Sequence, residues 1–296
     1  MTPADDMLPS LSYADYFDHP LKKRLVRAVE RLSGQPRIQK LYRQYRQDLQ
    51  HVPFFEAAVK LLELRVEIDM ARHAAIPKTG PLVVVANHPF GVLDGLVICQ
   101  LLSLVRTDFK VLTNAVLDGA PEASNWILPI DFEGTKAAQA TNIATRRRSL
   151  EILKDGGCIV VFPAGGVSTA PTVFTRAAVD DTWKPFTAKL ITQSGADVVP
   201  VYFEGQNSRL FQLASHLSME LRLALIFREV NRKRGKRMPV HIGEVLTSED
   251  LSNAGKREQL MRFLREATYA MAPQKMQGRL RRAEKRWQEK PPKVFR

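Results

Sequence analysis

The sequence predicts an α/β fold, with a mainly parallel central sheet covered by helices on both faces, N-terminal amphipathic helices and a basic C-terminal tail. Two observations predict it. Unbroken apolar runs at residues 82–86 and 158–162 lack the alternation of a half-exposed strand, as expected of strands buried on both faces. Such strand-like runs also alternate with stretches of helical periodicity, the order of βαβ units. With 296 residues, 45% hydrophobic and 25% charged, the chain can bury a real core, which excludes general disorder and fibrous repeats.

Residues 21–32 place Leu21, Leu25, Ala28, Val29 and Leu32 on one helical face and Lys22, Lys23, Arg24, Arg27 and Arg31 on the other. Gly34 and Pro36 stop this helix. A second follows, with Ile38, Leu41, Tyr42, Tyr45 and Leu49 opposite Lys40, Arg43 and Arg46. The pair either packs on the main domain with solvated outer faces or lies on anionic lipid as a basic amphipathic lid. From Phe54 the pattern turns to α/β: a helix over 54–64, then strands over 66–70 and 82–86. A helix over 94–105 precedes strands over 109–113 and 127–132, then a helix over 136–154 closed by Gly156 and Gly157. Next come a strand over 158–162, a helix over 183–193 and a strand over 198–203. One long apolar helix over 208–227, a strand over 240–243 and a helix over 249–271 complete the pattern, before a Lys- and Arg-rich tail that frays at Pro291 and Pro292. The expected organisation is an N-terminal helical segment (1–53), an α/β domain (54–248), and a C-terminal helix with its tail (249–296).

The net charge of +13 is unevenly placed: −4 over residues 1–20, +7 over 21–50, +1 over 51–250 and +9 over 251–296. A nearly neutral middle with basic ends suits an anionic partner, and an anionic membrane surface is the one expected here. The uncharged stretch 156–175 is interrupted by Pro163, Pro171, Gly165 and Gly166, so no transmembrane helix is expected. No secretory signal opens the chain, and Cys99 and Cys158 are too few for a disulfide framework. The expected location is peripheral, on the cytoplasmic side of a membrane.

Nucleophile-elbow, Walker, dinucleotide and zinc-protease patterns are all missing, and none of the six histidines has a metal-like partner at helical spacing. What remains is Asn87-His88-Pro89-Phe90-Gly91-Val92-Leu93-Asp94, directly after the apolar run 82–86. In an open α/β sheet, ligands bind beyond the carboxyl ends of strands. Gly91 lets the loop turn back so that Asp94 can accept a hydrogen bond from one imidazole nitrogen of His88, freeing the other to take a proton. The pair has no nucleophile of its own, which suits a reaction in which the acceptor hydroxyl attacks an already activated thioester. A second loop, Phe162-Pro163-Ala164-Gly165-Gly166-Val167-Ser168-Thr169, also follows a buried strand, and its backbone N–H groups can line an anion site. A third run is Val198-Val199-Pro200-Val201.

In this order the three resemble the boxes of the lysophospholipid acyltransferase family, which contains the glycerol-3-phosphate and 1-acylglycerol-3-phosphate acyltransferases. The resemblance covers roughly residues 60–245. It implies that His88 is the catalytic base and Asp94 its partner, that Gly165, Gly166 and Ser168 hold the acceptor's head group, and that Pro200 shapes the acyl site. Asn87, Gly91, Phe162 and Pro163 support the motifs. The resemblance also implies an acyl-CoA or acyl carrier protein donor, a lysolipid acceptor, no cofactor and no metal.

Three departures matter. Five residues separate His88 from Asp94 where the family usually has four, as in a hemolysin-like bacterial branch to which the chain is most similar. Ala164 replaces the common Glu. Phe132 stands after Ile130-Asp131, where the family offers an Arg to the acceptor phosphate. A lysolipid with another head group, such as a lyso-ornithine lipid, therefore stands beside the lysophospholipids as acceptor. Lys136 and Arg176 are the substitute cations; Arg146, Arg147 and Arg148 fan around one helix and cannot all face one ligand. The rival readings are a non-catalytic nucleic-acid binder, resting on Trp287 and Phe295 among the tail's basic residues, and an inactive acyltransferase-like fold. The neutral middle speaks against the first, and the His88/Asp94 pair against the second.

Overall fold

The computed structural model describes residues 11–16, 19–114, 120–130 and 136–289. After a short 3-10 turn (Tyr13–Tyr16) come helices α1 (Pro20–Leu32), α2 (Gln35–Asp48) and α3 (Phe54–Leu61). The α/β portion runs β1 (Arg65–Glu67), α4 (Met70–Ala74), β2 (Leu82–Ala86), α5 (Val92–Ser103), β3 (Phe109–Asn114), α6 (Pro121–Ser124), β4 (Ile127–Ile130) and α7 (Lys136–Lys154). It continues through β5 (Cys158–Val161), α8 (Phe186–Ser194), β6 (Asp197–Phe203), α9 (Arg209–Leu217), α10 (Met219–Ala224), α11 (Ile226–Lys233) and β7 (Arg237–Ile242). Helices α12 (Ser248–Ser252), α13 (Arg257–Ala270) and α14 (Gln274–Glu289) close the chain.

The seven strands form one sheet in the order β1-β7-β6-β2-β5-β3-β4. Every neighbouring pair is parallel except β6 with β7. The β2 strand sits centrally, with Val84 opposite Val160 of β5 and Val199 of β6. Its five residues are all buried, because alternate side chains enter two different cores. On the first face Leu82, Val84 and Ala86 join Val111, Val160 and Val201 under α3, α5 and α9–α11. On the second, Val83 and Val85 join Leu112, Ile159 and Val198 under α7, α8 and α13. This is the two-sided α/β architecture expected from the sequence. Tyr42, Tyr45 and Val26 of the N-terminal helices belong to the first core, and Leu251, Leu260 and Leu264 of the C-terminal ones to the second.

The structure departs from the expected elements in four places. The strand over 66–70 is shorter, because Asp69 caps α4 by accepting the N–H groups of Ala71 (2.8 Å) and Arg72 (3.2 Å). The long helix over 208–227 is three helices. Ser218 is extended (φ −159°, ψ 153°), and its hydroxyl accepts the Leu221 N–H at 3.1 Å, so the chain restarts there with its own cap. The helix over 249–271 is two, parted at Gly255 with φ +82°. The basic tail is folded as far as Glu289: Leu280, Ala283 and Trp287 of α14 pack with Tyr202 and Tyr269. A buried Trp287 has no face for a nucleic-acid base. Phe132, Phe295 and the Pro291-Pro292 pair lie outside the described residues.

Helix α1 packs by one edge of its apolar face, through Val26 and half-buried Val29. Val26 and Glu30 are buried, and Glu30 accepts the Tyr13 N–H and the Ser12 hydroxyl, both at 2.6 Å. Its leucine stripe faces out, with Leu21, Leu25 and Leu32 67, 52 and 90% exposed. Exposed Leu213, Leu217 and Met219 extend apolar surface onto α9 and α10, and the Lys22–Glu220 ion pair (2.7 Å) ties α1 to α10. Among the described residues no helix is long and apolar enough to cross a membrane.

Candidate active site

A cleft of about 860 Å³ opens beyond the carboxyl ends of β2, β3, β4 and β5, where parallel strands deliver their loops. Gly91 begins the β2 loop's return. Its φ is +72°, and a Cβ there would stand 3.2 Å from Val167 Cγ2, so glycine alone fits without strain. Helix α5 starts at Val92, two residues before Asp94. Asp94 is fully buried at the helix's third position, and its Oδ2 accepts the N–H groups of Phe90 (2.8 Å) and Gly91 (3.0 Å). That closes the N-terminal turn as an acidic side chain does.

The same Oδ2 lies 3.1 Å from Nδ1 of His88. The contact is a close approach; Nδ1 is buried and makes no directed hydrogen bond in this conformation. Burial pushes the Asp94 carboxyl above its ordinary pKa, while the His88 imidazole and the Phe90 and Gly91 N–H groups pull it back. The His88 ring lies against Phe162, centroids 4.1 Å apart, and its side chain is 18% exposed to the cleft. With Nδ1 buried, the exposed edge is the one bearing Nε2.

The structure therefore brings together His88, Asp94, Gly91, Phe162, Pro163, Gly165 and Gly166, all but the buried Asp94 on the cleft wall. Asn87 is structural: its amide donates to the Phe203 carbonyl (3.0 Å) and accepts the Phe203 N–H (2.7 Å), extending the β2–β6 pairing.

Three expected site residues fall elsewhere. Ser168 is buried, its hydroxyl given to Asp180 Oδ1 at 2.5 Å and its N–H to the His88 carbonyl at 2.8 Å, so neither is available to a head group. Arg176 is exposed and is not on the cleft wall. Pro200 is not on the cleft wall: it sits in β6 with its ring beneath Gly243, whereas the cleft opens beyond β2–β5. Lys136 opens α7, and its side chain lies outside the described residues.

Two buried groups escape a sequence reading. Asp180 is fully buried and gathers three donors: the His88 N–H (3.2 Å), the Ser168 hydroxyl and the Trp183 indole N–H (2.9 Å). Its own peptide is held by the Tyr269 hydroxyl (2.8 Å) and by Arg265 (3.1 Å), which pairs with Glu284 of α14 at 2.6 Å. The only local signal was Trp183 three positions on. Arg222, set between leucines on α10, is buried on the cleft wall. It donates to Thr169 Oγ1 (2.6 Å) and the Val167 carbonyl and lies over the Phe211 ring; burial lowers its pKa to about 9. Among the described residues no cluster of three His, Cys, Asp or Glu side chains is placed to hold a metal ion.

Comparison with known proteins identifies the family. A family model described as "Acyltransferase" matches residues 43–277. Two proteins named lyso-glycine lipid O-acyltransferase are similar. That of Phocaeicola vulgatus is 23% identical, the match covering 74% of this chain and 78% of the relative. That of Bacteroides thetaiotaomicron is 26% identical, over 74% and 80%. Among solved structures, the 1-acyl-sn-glycerophosphate acyltransferase PlsC of Thermotoga maritima superposes with a TM-score of 0.49 at 16% identity, covering 87% of this chain and 83% of that one.

Proposed function

We propose that this chain, which belongs to the acyltransferase family, carries a fatty acyl group from acyl-CoA or acyl carrier protein to a lysolipid hydroxyl at a membrane surface, with His88 as general base. The observation that carries this reading is the imidazole itself: Nδ1 turned to a buried carboxylate at 3.1 Å, and the opposite edge open to the cleft beside the glycine loop.

His88 Nε2 takes the proton of the acceptor hydroxyl as its oxygen attacks the thioester carbonyl. The C–O bond forms, the tetrahedral oxyanion collapses, the C–S bond breaks, and His88 returns the proton to the leaving thiol. No covalent enzyme intermediate is needed, because the thioester is already activated. Gly165 spends its N–H on the Phe162 carbonyl (2.9 Å) to form the turn; the peptides of Gly166 and Val167 follow along the cleft and would supply donors to the oxyanion.

The names of the two bacterial relatives favour an acceptor with an amino-acid head group, a lyso-glycine or lyso-ornithine lipid, over a glycerol phosphate. The exposed leucines of α1 and the basic residues beside them favour approach to an anionic bilayer from the surface. The test is to incubate purified protein with labelled acyl-CoA and acyl carrier protein against a panel of lyso-glycine, lyso-ornithine and glycerophosphate lipids, with mass detection. Acylated lyso-amino-acid lipid is expected, and none with His88→Ala. Equal turnover by a folded His88→Ala protein refutes the mechanism. Vesicle binding should strengthen with anionic lipid and weaken with salt.

A further inference from the structure

The cleft straddles the edge of the sheet, and its two walls differ in chemistry. The wall on the first face is mainly hydrocarbon, built from Phe55, Leu96, Val111 and Ile127 with Leu223 and Ile226; its cation among the described residues, Arg222, is committed to Thr169 and the Val167 carbonyl. This is also the face that carries the exposed leucines of α1 and α9, and Met219 belongs both to that surface and to the cleft. The wall on the second face comes from α7, from α8 and from the segment that leads into it. It holds two cations, Arg146 and Lys184.

The placement of Arg146 is selective. Its neighbours Arg147 and Arg148 are both drawn outward to Glu151, at 3.0 and 3.2 Å. Arg146 instead turns into the cleft and lies over the Phe186 ring, 5.1 Å from its centroid. Stacking on an aromatic ring fixes a guanidinium's plane and leaves its N–H fork free for an anion. Among the described residues neither Arg146 nor Lys184 pairs with a carboxylate. Among the described residues the acid on this wall is Asp181, which accepts the Trp287 indole N–H (3.1 Å) and the Thr182 N–H (2.6 Å) through Oδ1.

We propose that Arg146 and Lys184 form a phosphate subsite for the phosphopantetheine arm of the acyl donor, reached from the face opposite the lipid-facing one. The proposal rests on the acyl-transfer reading above. A lysolipid leaving a bilayer enters across Met219 and lays its chain on the hydrocarbon wall. The water-soluble donor then has the other wall, where its one obligatory anion meets two cations. The phosphate is common to coenzyme A and to a loaded carrier protein, so the same subsite serves either donor, and the thioester comes to His88 at the sheet edge between the walls.

The test uses the full-length chain in two arms. In the first, calorimetry compares 4′-phosphopantetheine with pantetheine, neither of which carries an acyl group to transfer, on the His88→Ala protein. The phosphate should improve affinity about tenfold, or roughly 1.4 kcal/mol, and adding Arg146→Met and Lys184→Met should erase the difference. In the second, Arg146→Met and Lys184→Met are assayed with acyl-CoA, with acyl carrier protein and with vesicle-borne lysolipid. The KM for either donor should rise about tenfold while kcat and the lysolipid KM hold, and Arg147→Met should match wild type. A raised lysolipid KM with an unchanged donor KM would assign the cations to the acceptor's head group and overturn the proposal. So would equal binding of phosphopantetheine and pantetheine. If no lysolipid accepts an acyl group, the acyl-transfer reading fails on its own, and the calorimetric arm still decides whether the subsite exists.

Discussion

The loop after β2 and the loop after β5 leave paired strands side by side and meet at His88. The first is built largely from within: Asp94 accepts the Phe90 and Gly91 N–H groups and approaches the His88 ring inside seven residues, and only the His88 backbone reaches outside, to Asp180 and Ser168. The second is held from outside, by Asp180 through Ser168 and by Arg222 through Val167 and Thr169. The difference teaches how a site divides its labour. A reacting group must move and titrate, so its partners travel with it on one loop. A cradle must stay still, so it is pinned by buried charge from distant elements.

The sharpest test of the contrast is His88→Ala. It should lower kcat/KM by about 10²–10⁴-fold, with little change in thermal melting, because the ring supports no other element than Phe162. Asp94→Asn should cost both activity and structure: roughly 10²-fold in kcat by loss of the charge that steers the imidazole, and about 1 kcal/mol at the start of α5. Steady-state kinetics and a melt on the same samples separate the two effects.

The second loop should respond differently. Asp180→Asn presents an amide to three converging donors, one of which must then face another donor. We expect a stability loss of about 1–3 kcal/mol and a fall in kcat of roughly 10–100-fold from displaced geometry, with the donor KM nearly unchanged. Ser168→Ala removes one of those bonds, about 1 kcal/mol, and its effect should largely vanish in the Asp180→Asn background. Full additivity in that double-mutant cycle would show that the loop is not held through Asp180. Gly91→Ala joins the regions, since its methyl group would press on Val167 at a positive φ; a loss of about 1–2 kcal/mol is expected.

The smallest effect is one of pH. The folded-state pKa of Asp94 is raised, with burial as the largest cause. A raised carboxyl contributes stability that is complete below its unfolded pKa, about 3.9, and is lost as pH rises through the folded value. Denaturation of wild type and Asp94→Asn across that window should therefore show wild type losing ground to the variant as pH increases. A gap that widens in wild type's favour would mean that the His88 contact and the two N–H groups outweigh burial.

Much of the fold was legible because parallel strands buried on both faces cannot hide their composition: Leu82–Ala86 and Cys158–Val161 are apolar throughout. Element breaks were legible only where Gly or Pro marked them. Ser218 ends α9 by a cap that a serine offers only when the backbone is already extended, so the continuous apolar stretch looked like one helix. The leucine stripe of α1 was visible, but its direction was not, since an amphipathic face packs equally well on a domain or on lipid.

The candidate site divides in the same way. Sequence by itself determined that His88 and Asp94 approach each other, because a partner a few residues away on a turning loop needs no further information than the loop. Only the tertiary structure decided that Asp180 reaches His88 across 92 positions, that Ser168 is committed to Asp180, that Pro200 is not on the cleft wall, and that Arg146 alone of its run enters the cleft. Those outcomes depend on which sheet face each strand residue meets and which helix lies over it, and chain order does not encode that until the core has closed.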